Sequence, residues 1–298
     1  MKKMIICIYI LSVAMSVFAT GQDGDVIMID GEKWSLLAEP INHDSVLYRQ
    51  LKAVLPQNNT FVTSNWDGYT AYWSIRNERL CLDSITVLLY NEDTRQYREE
   101  CLPETDMQRV FANYRQGNDI VASWVNYDIR AAKGTKVYYV HSYFERNHEY
   151  EQILTVNEGK VTNRQAYHNR VVVDGFSLKG MINDTRERQG KMVQQIVNEK
   201  LPMHTENYPE LADEKVIFFS VKDIRLDSLG NLVDCQVKAT IGRRTRRDSE
   251  TLAQEMKELL KNVRPWRTLF INGEYLPEDR GGFTFPYHIV DKTAASLR

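Results

Sequence analysis

Period-two alternation of apolar and polar side chains recurs along this chain and commits much of it to sheets with one dry face. Tyr69, Ala71, Trp73 and Ile75 alternate with Gly68, Thr70, Tyr72 and Ser74. Val233, Cys235, Val237, Ala239 and Ile241 alternate with Asp234, Gln236, Lys238 and Thr240. Phe283, Phe285, Tyr287 and Ile289 repeat the pattern near the end. A chain of 298 residues, 43% apolar and 26% charged, can bury the faces such strands create. That balance excludes a disordered tail, a collagen-like repeat and a multi-span membrane protein. A net charge of -2 supplies no global field for nucleic acid or anionic lipid.

Residues 1–19 stand outside this pattern. Lys2 and Lys3 precede an apolar run from Met4 to Ala19, and Val17 and Ala19 form a small-residue cleavage site. This predicts a secretory signal peptide cut after Ala19. The expected location is periplasmic or secreted, with no stable membrane anchor after cleavage. An export compartment permits disulfides. Cys81 and Cys101 are the pair the first half offers; buried free thiols are the competing reading. Cys235 sits on the apolar face of its strand.

The predicted fold class is α+β, in two domains. The first, 20–173, is β-rich with two short helices. Asp44 to Leu55 has helical spacing and stops at Pro56. Pro103 to Tyr114 carries Met107, Val110 and Phe111 on one face. Leu80 to Tyr90 is a strand whose alternation slips near Asp83-Ser84, which predicts a bulge. Strands are expected near 120–131, 136–144 and 149–156, with a tight hairpin at Asn157-Glu158-Gly159. The expected assembly is an antiparallel sheet, a sandwich or a partial barrel. A Gly- and Asp-rich stretch, 174–187, reads as the joint.

The second domain is expected at 188–290, followed by a tail at 291–298. Gln189 to Leu201 is a helix closed by Pro202. Val216 to Leu226 is a strand, Asp227–Asn231 is a turn, and the next strand carries Val233 to Ile241. A helix capped by Asp248 or Ser249 carries Leu252, Met256, Leu259, Leu260 and Val263 in one stripe. Leu269 to Ile271 leads into Asn272-Gly273, a strong hairpin signal. Helices would then cover one face of an antiparallel sheet.

In its order of residues this second half resembles the TonB C-terminal domain family. Phe218 and Val221 lead to Asp227, Gly230 and Asn231, then Leu232, Val233 and Val237. Leu252, Ala253 and Met256 follow, then Arg264-Pro265-Trp266, Ile271-Asn272-Gly273 and Phe283, Phe285, Pro286 and Ile289. The resemblance covers about a third of the chain. It implies a small α+β unit that contacts partner proteins, in the energy transducers by accepting a strand from an outer-membrane receptor at the sheet edge. The transducers' uncleaved N-terminal helix and Pro-rich spacer are missing from this sequence, so a working energy transducer is not expected. The first half resembles, through GYTAYWSI and LCLDSI, uncharacterised exported proteins of Bacteroidetes-type bacteria.

No motif nominates a catalytic residue, a metal set or a cofactor. His141 and His148 could face each other across a turn at Glu145-Arg146-Asn147, but a metal needs further ligands; two strand-end histidines are the plainer reading. Gly175 to Gly180 has one residue too many for a nucleophile elbow. Arg243, Arg244, Arg246 and Arg247 are the densest local charge. They suit an anionic partner through forked donors, or are a solvated loop balanced by Asp248 and Glu250. Trp66 and Tyr72 belong to a row of aromatics that could stack on sugar or hold a peptide, or that builds a sheet core; Tyr72 lies on the face opposite Trp73. Two functions follow. One is a non-catalytic envelope protein that binds a protein or peptide partner by sheet-edge strand addition. The other is an exported hydrolase or glycan-binding protein with its site in the aromatic-rich first half.

Overall fold

A computed structural model describes residues 21–181, 193–243 and 246–289. The signal peptide with its cleavage point, residues 182–187 of the expected joint, the start of the helix expected from Gln189, Arg244 and the tail lie outside the described residues. The fold is mixed α+β and strand-rich. It divides after Tyr167 into two compact units. The division falls ahead of the expected joint because Arg170–Val173 pairs with Thr268–Ile271 of the second half.

The first unit holds β1 (Asp25–Ile29), β2 (Glu32–Leu36), β3 (Tyr69–Arg76), β4 (Arg79–Asn91), β5 (Gln96–Cys101), β6 (Arg115–Gln116), β7 (Asp119–Val121), β8 (Asp128–Tyr139), β9 (Arg146–Asn157) and β10 (Lys160–His168). Their order β4-β3-β1-β2-β8-β9-β10 closes on itself, because Lys160 of β10 lies opposite Arg79 of β4. Of the three expected assemblies, an antiparallel sheet, a sandwich and a partial barrel, the pairing is that of a barrel, closed through this bridge. Closure removes the free edges that an open sheet would expose. β1 and β3 run parallel, a correction to the all-antiparallel expectation. The long crossover between β2 and β3 allows it.

That crossover carries α1 (Ser45–Lys52). Asp44 Oδ1 accepts the Val46 and Leu47 N–H groups, each at 2.9 Å, satisfying donors at the helix start. α1 buries Leu47 and Leu51, and α2 (Glu104–Phe111) buries Met107, Val110 and Phe111. Both helices share the barrel's core with Trp73, Leu36 and Ile27. Tyr72 lies opposite Ser84 and Trp73 opposite Leu82, so Asp83 is the bulged residue at the slip in alternation. The strands expected at 120–131 and 136–144 are instead a short β7 and a long β8. The break between them in the pattern, at Gly134-Thr135, is a bulge with Gly134 at φ +83°, not a turn. The hairpin expected at Asn157-Glu158-Gly159 turns on Glu158 (φ 47°) and Gly159 (φ 75°).

Cys81 and Cys101 do not pair. Cys101 lies opposite Thr86, and Cys81 is five residues away along β4, about 17 Å at the rise of a strand. A disulfide needs Cα atoms under about 7 Å apart. Cys81 is buried, Cys101 exposed and Cys235 buried, all free.

The second unit holds β11 (Arg170–Val173), α3 (Val193–Lys200), β12 (Val216–Leu226), β13 (Leu232–Ile241), β14 (Arg247–Asp248), α4 (Glu250–Asn262), β15 (Thr268–Ile271), β16 (Glu274–Pro277) and β17 (Phe283–His288). One sheet runs β11-β15-β16 and the other β14-β13-β12-β17. α4 packs on β13 and α3 on β17. Ser249 Oγ accepts the Leu252 N–H and so caps α4, while Leu252, Met256 and Leu260 fill the core. Asn272 (φ 52°) and Gly273 (φ 92°) form the predicted turn between β15 and β16. Val233 departs from the expected face. Leu226 pairs with Leu232 and Arg225 with Asp234, so Val233 is an extra residue and is 55% exposed.

Candidate functional site

In an antiparallel pair, alternate residues turn their backbone groups toward the partner strand and away from it. Ile289 N–H donates to Lys215 O at 3.1 Å. In β17 this turns Phe283, Phe285 and Tyr287 toward β12, and Thr284, Pro286 and His288 outward. Among the described residues β17 pairs with β12 alone, so its outward groups form a sheet edge. The edge is selective. Pro286 has no N–H to give, and His288 O already accepts Asn198 Nδ2 at 3.0 Å. Thr284 N–H and C=O, Pro286 C=O and His288 N–H remain for an incoming strand.

The opposite edge is more fully closed. β14 covers Thr240 and Ile241 of β13, and Ser249 N–H donates to Ala239 O at 3.1 Å. Beside that edge the Asp234 carboxylate meets Lys257 at 2.8 Å, and chiefly through this hydrogen bond its pKa falls to about 2. β17 keeps more of its outward groups than β13, on which Val237 alone lies beyond the cover of β14 and the Ser249 contact.

The sheet face turned away from the helices carries a groove of about 410 Å³. Thr284 of the β17 edge lines it with Phe218, Ser220, Lys238, Arg246 and Asp248. The arginine run divides here. Arg246 is exposed on the groove, at φ 29°. Arg243 is also exposed. Arg247 is engaged elsewhere, with Glu214 at 3.3 Å and Glu210 O at 3.4 Å. Asp248, expected to balance the run, pairs with Lys238 at 3.0 Å instead.

The other candidates are scattered. Tyr72 is half-buried, and its hydroxyl donates to Glu99 on β5 at 3.0 Å, a carboxylate that also takes the Thr86 hydroxyl. It ties β3 to β5 and is no open surface. Trp66 is 53% exposed, with only its backbone N–H engaged, to Gln22 Oε1 at 3.3 Å. His148 is buried on β9 opposite Lys136, and burial lowers its pKa to about 4. His141 lies in the loop 140–145 beside the Tyr139 hydroxyl at 2.7 Å. The two do not face each other, because the chain turns before Arg146 and not at 145–147. Among the described residues no group of three or more His, Cys, Asp or Glu could hold a metal.

Two features escaped the sequence. Asn198 caps a carbonyl 90 residues away, which no spacing rule anticipates. Asn42 joins Glu39 to Asp67, a meeting made inside the crossover between β2 and β3 across 25 residues of sequence. Pro286 was visible, and its place in an alternating strand was the available signal for an edge. Comparison with family models, curated proteins and solved structures returned no match.

Proposed function

We propose that this chain is an exported, non-catalytic envelope protein, periplasmic or secreted, whose second unit takes an extended segment of a partner protein along β17. The observation that supports this reading is the one-sided pairing of β17, with Thr284 offering both backbone groups, while β14 and Ser249 cover residues 239–241 of β13. The resemblance to the TonB C-terminal domain supports the same mode, strand addition, in which main-chain hydrogen bonds carry the affinity. The loss of the Pro286 N–H and the occupied His288 carbonyl narrow the registers a partner can adopt. Arg246, at the groove that shares Thr284, favours an acidic side chain on the partner.

The test is in-cell crosslinking followed by capture of the tagged, signal-bearing chain. Thr284→Pro removes the one residue with two free edge groups and should abolish recovery of an envelope partner. Replacing Arg243, Arg244, Arg246 and Arg247 by Ser should weaken it. Equal recovery from Thr284→Pro and the parent, with both melting alike, refutes docking at this edge.

A further inference from the structure

β5 lies outside the closed ring of strands. Among the described residues it pairs with β4 alone, through six regular positions from Asn91–Gln96 to Thr86–Cys101 with no bulge. Leu102 N–H donates to Ile85 O at 2.7 Å, which sets the phase of the ladder. Gln96, Arg98 and Glu100 therefore turn their backbone groups toward β4, and Tyr97, Glu99 and Cys101 turn theirs away. No bond to these six outward groups occurs among the described residues. Every residue of β5 is exposed except Glu100, which is half-buried. Sheet edges are commonly blunted by a proline, a bulge or charge. β5 has no proline and no bulge, and its charges complement one another across a two-fold axis.

We propose that β5 pairs antiparallel with β5 of a second copy of this chain, about a two-fold axis through Glu99. Symmetry and charge select the register. Opposite residues share a face of a sheet, and a two-fold axis normal to the sheet keeps each side chain on its face. The axis therefore passes through a residue and not between two. Centred on Arg98 or on Glu100, the pairing sets like charges opposite each other. Centred on Cys101, it sets Pro103, which has no N–H, opposite Glu99. Centred on Tyr97, it sets the turn residue Arg95, at φ 54°, opposite Glu99. Centred on Glu99, it sets Arg98 of each copy opposite Glu100 of the other and Tyr97 opposite Cys101, and it bonds all six outward groups. Arg98 and Glu100 already pair within one chain, so four charges of alternating sign line that face. On the other face Glu99 reaches back over β4, taking the Tyr72 hydroxyl at 3.0 Å and the Thr86 hydroxyl at 2.8 Å. The two Glu99 carboxylates thus turn away from the axis. The pairing also covers Tyr97, 60% exposed, with the exposed thiol of the second copy. Six residues a side make a small interface, so the dimer is weak and reversible.

The test is sedimentation equilibrium of the full chain, joined to disulfide trapping. Opposite residues of a hydrogen-bonded pair have Cα atoms about 5.5 Å apart, within disulfide range. Tyr97→Cys therefore sets a new thiol opposite Cys101 of the second copy. Position 97 of one copy and 97 of the other, 101 and 101, and 97 and 101 within one chain all stand about 13 Å or more apart. The parent should sediment as a reversible dimer, and Tyr97→Cys should become a covalent dimer under mild oxidation. The parent and Tyr97→Cys combined with Cys101→Ser, each with one thiol on this edge, should stay uncrosslinked. Arg98→Glu, which faces Glu100 with a like charge twice, should weaken the dimer about tenfold, and adding Glu100→Arg should restore it. Positions 97, 98 and 101 are exposed, so these variants should melt like the parent. Thr284→Pro should dimerise like the parent, which separates this edge from β17. A chain that stays monomeric up to about 1 mM overturns the proposal. So does Tyr97→Cys that gives no covalent dimer, one that forms as readily from either single-thiol control, or a dimer that Arg98→Glu leaves unchanged.

Discussion

Asp25 is 3% exposed, and its two oxygens accept the Ala71 N–H and the Trp73 Nε1–H, each at 2.9 Å. Burial raises its pKa to about 8 against those two bonds. A carboxyl whose folded pKa lies above its unfolded value binds its proton more tightly when folded. Its stabilising contribution is full below pH 3.8 and is lost as pH rises to about 8. One such group gives a slope of up to about 1.4 kcal/mol per pH unit, or about 4 kcal/mol between pH 5 and 8. That is a large share of the roughly 5–15 kcal/mol that holds a domain together. Glu39, raised to about 7 chiefly by burial, acts in the same direction. Asp234, lowered to about 2, titrates below this window. Urea unfolding at several pH values, read by tryptophan fluorescence, should show the first unit weakening steadily from pH 5 to 8. Asp25→Asn should flatten that slope. It should be less stable than the parent at pH 5, since its amide nitrogen meets one of the two donors, and should close the gap by pH 8. A flat or rising profile in the parent, or an equal slope in Asp25→Asn, would refute the reasoning.

Two further outcomes are expected. Gly159 closes the β9–β10 hairpin at φ 75°, where an added Cβ would meet the Ala122 carbonyl carbon at 2.9 Å. Gly159→Ala should therefore cost more than about 1 kcal/mol in urea unfolding, and a neutral result would contradict the close approach. Cys101 is the exposed thiol, so Ellman's reagent should titrate it in the native protein while Cys81 and Cys235 wait for denaturant; fast reaction of Cys81 would place it wrongly.

Local rules carried the second unit well. Val216–Leu226 and Leu232–Ile241, the Ser249 cap and the Asn272-Gly273 turn follow from alternation, capping and turn chemistry that lie within a few residues of one another. Val233 did not follow, because two irregularities in the pairing of β12 with β13 push it out of the alternation. In the first unit the Asp83 bulge was legible as a slipped pattern, whereas Gly134 broke the pattern of one strand and read as two. Barrel closure and the parallel β1–β3 pair rest on contacts between distant segments, and no window of sequence holds both partners. The sites divide in the same way. Trp66 and Arg246 were visible as exposed types, Arg244 lies outside the described residues, and the bond from Tyr72 to Glu99 was not legible because Glu99 sits on another strand.

The central claim is that β17 receives a partner strand. A photo-crosslinking residue placed in turn at 284, at 288 and, as a control on the first unit, at 165 tests it most directly in cells. The account predicts that 284 and 288 each trap the same envelope protein, that 165 does not, and that Thr284→Pro abolishes the adduct from 288. Adducts that form equally from 165, or an adduct from 288 that survives Thr284→Pro, would contradict it.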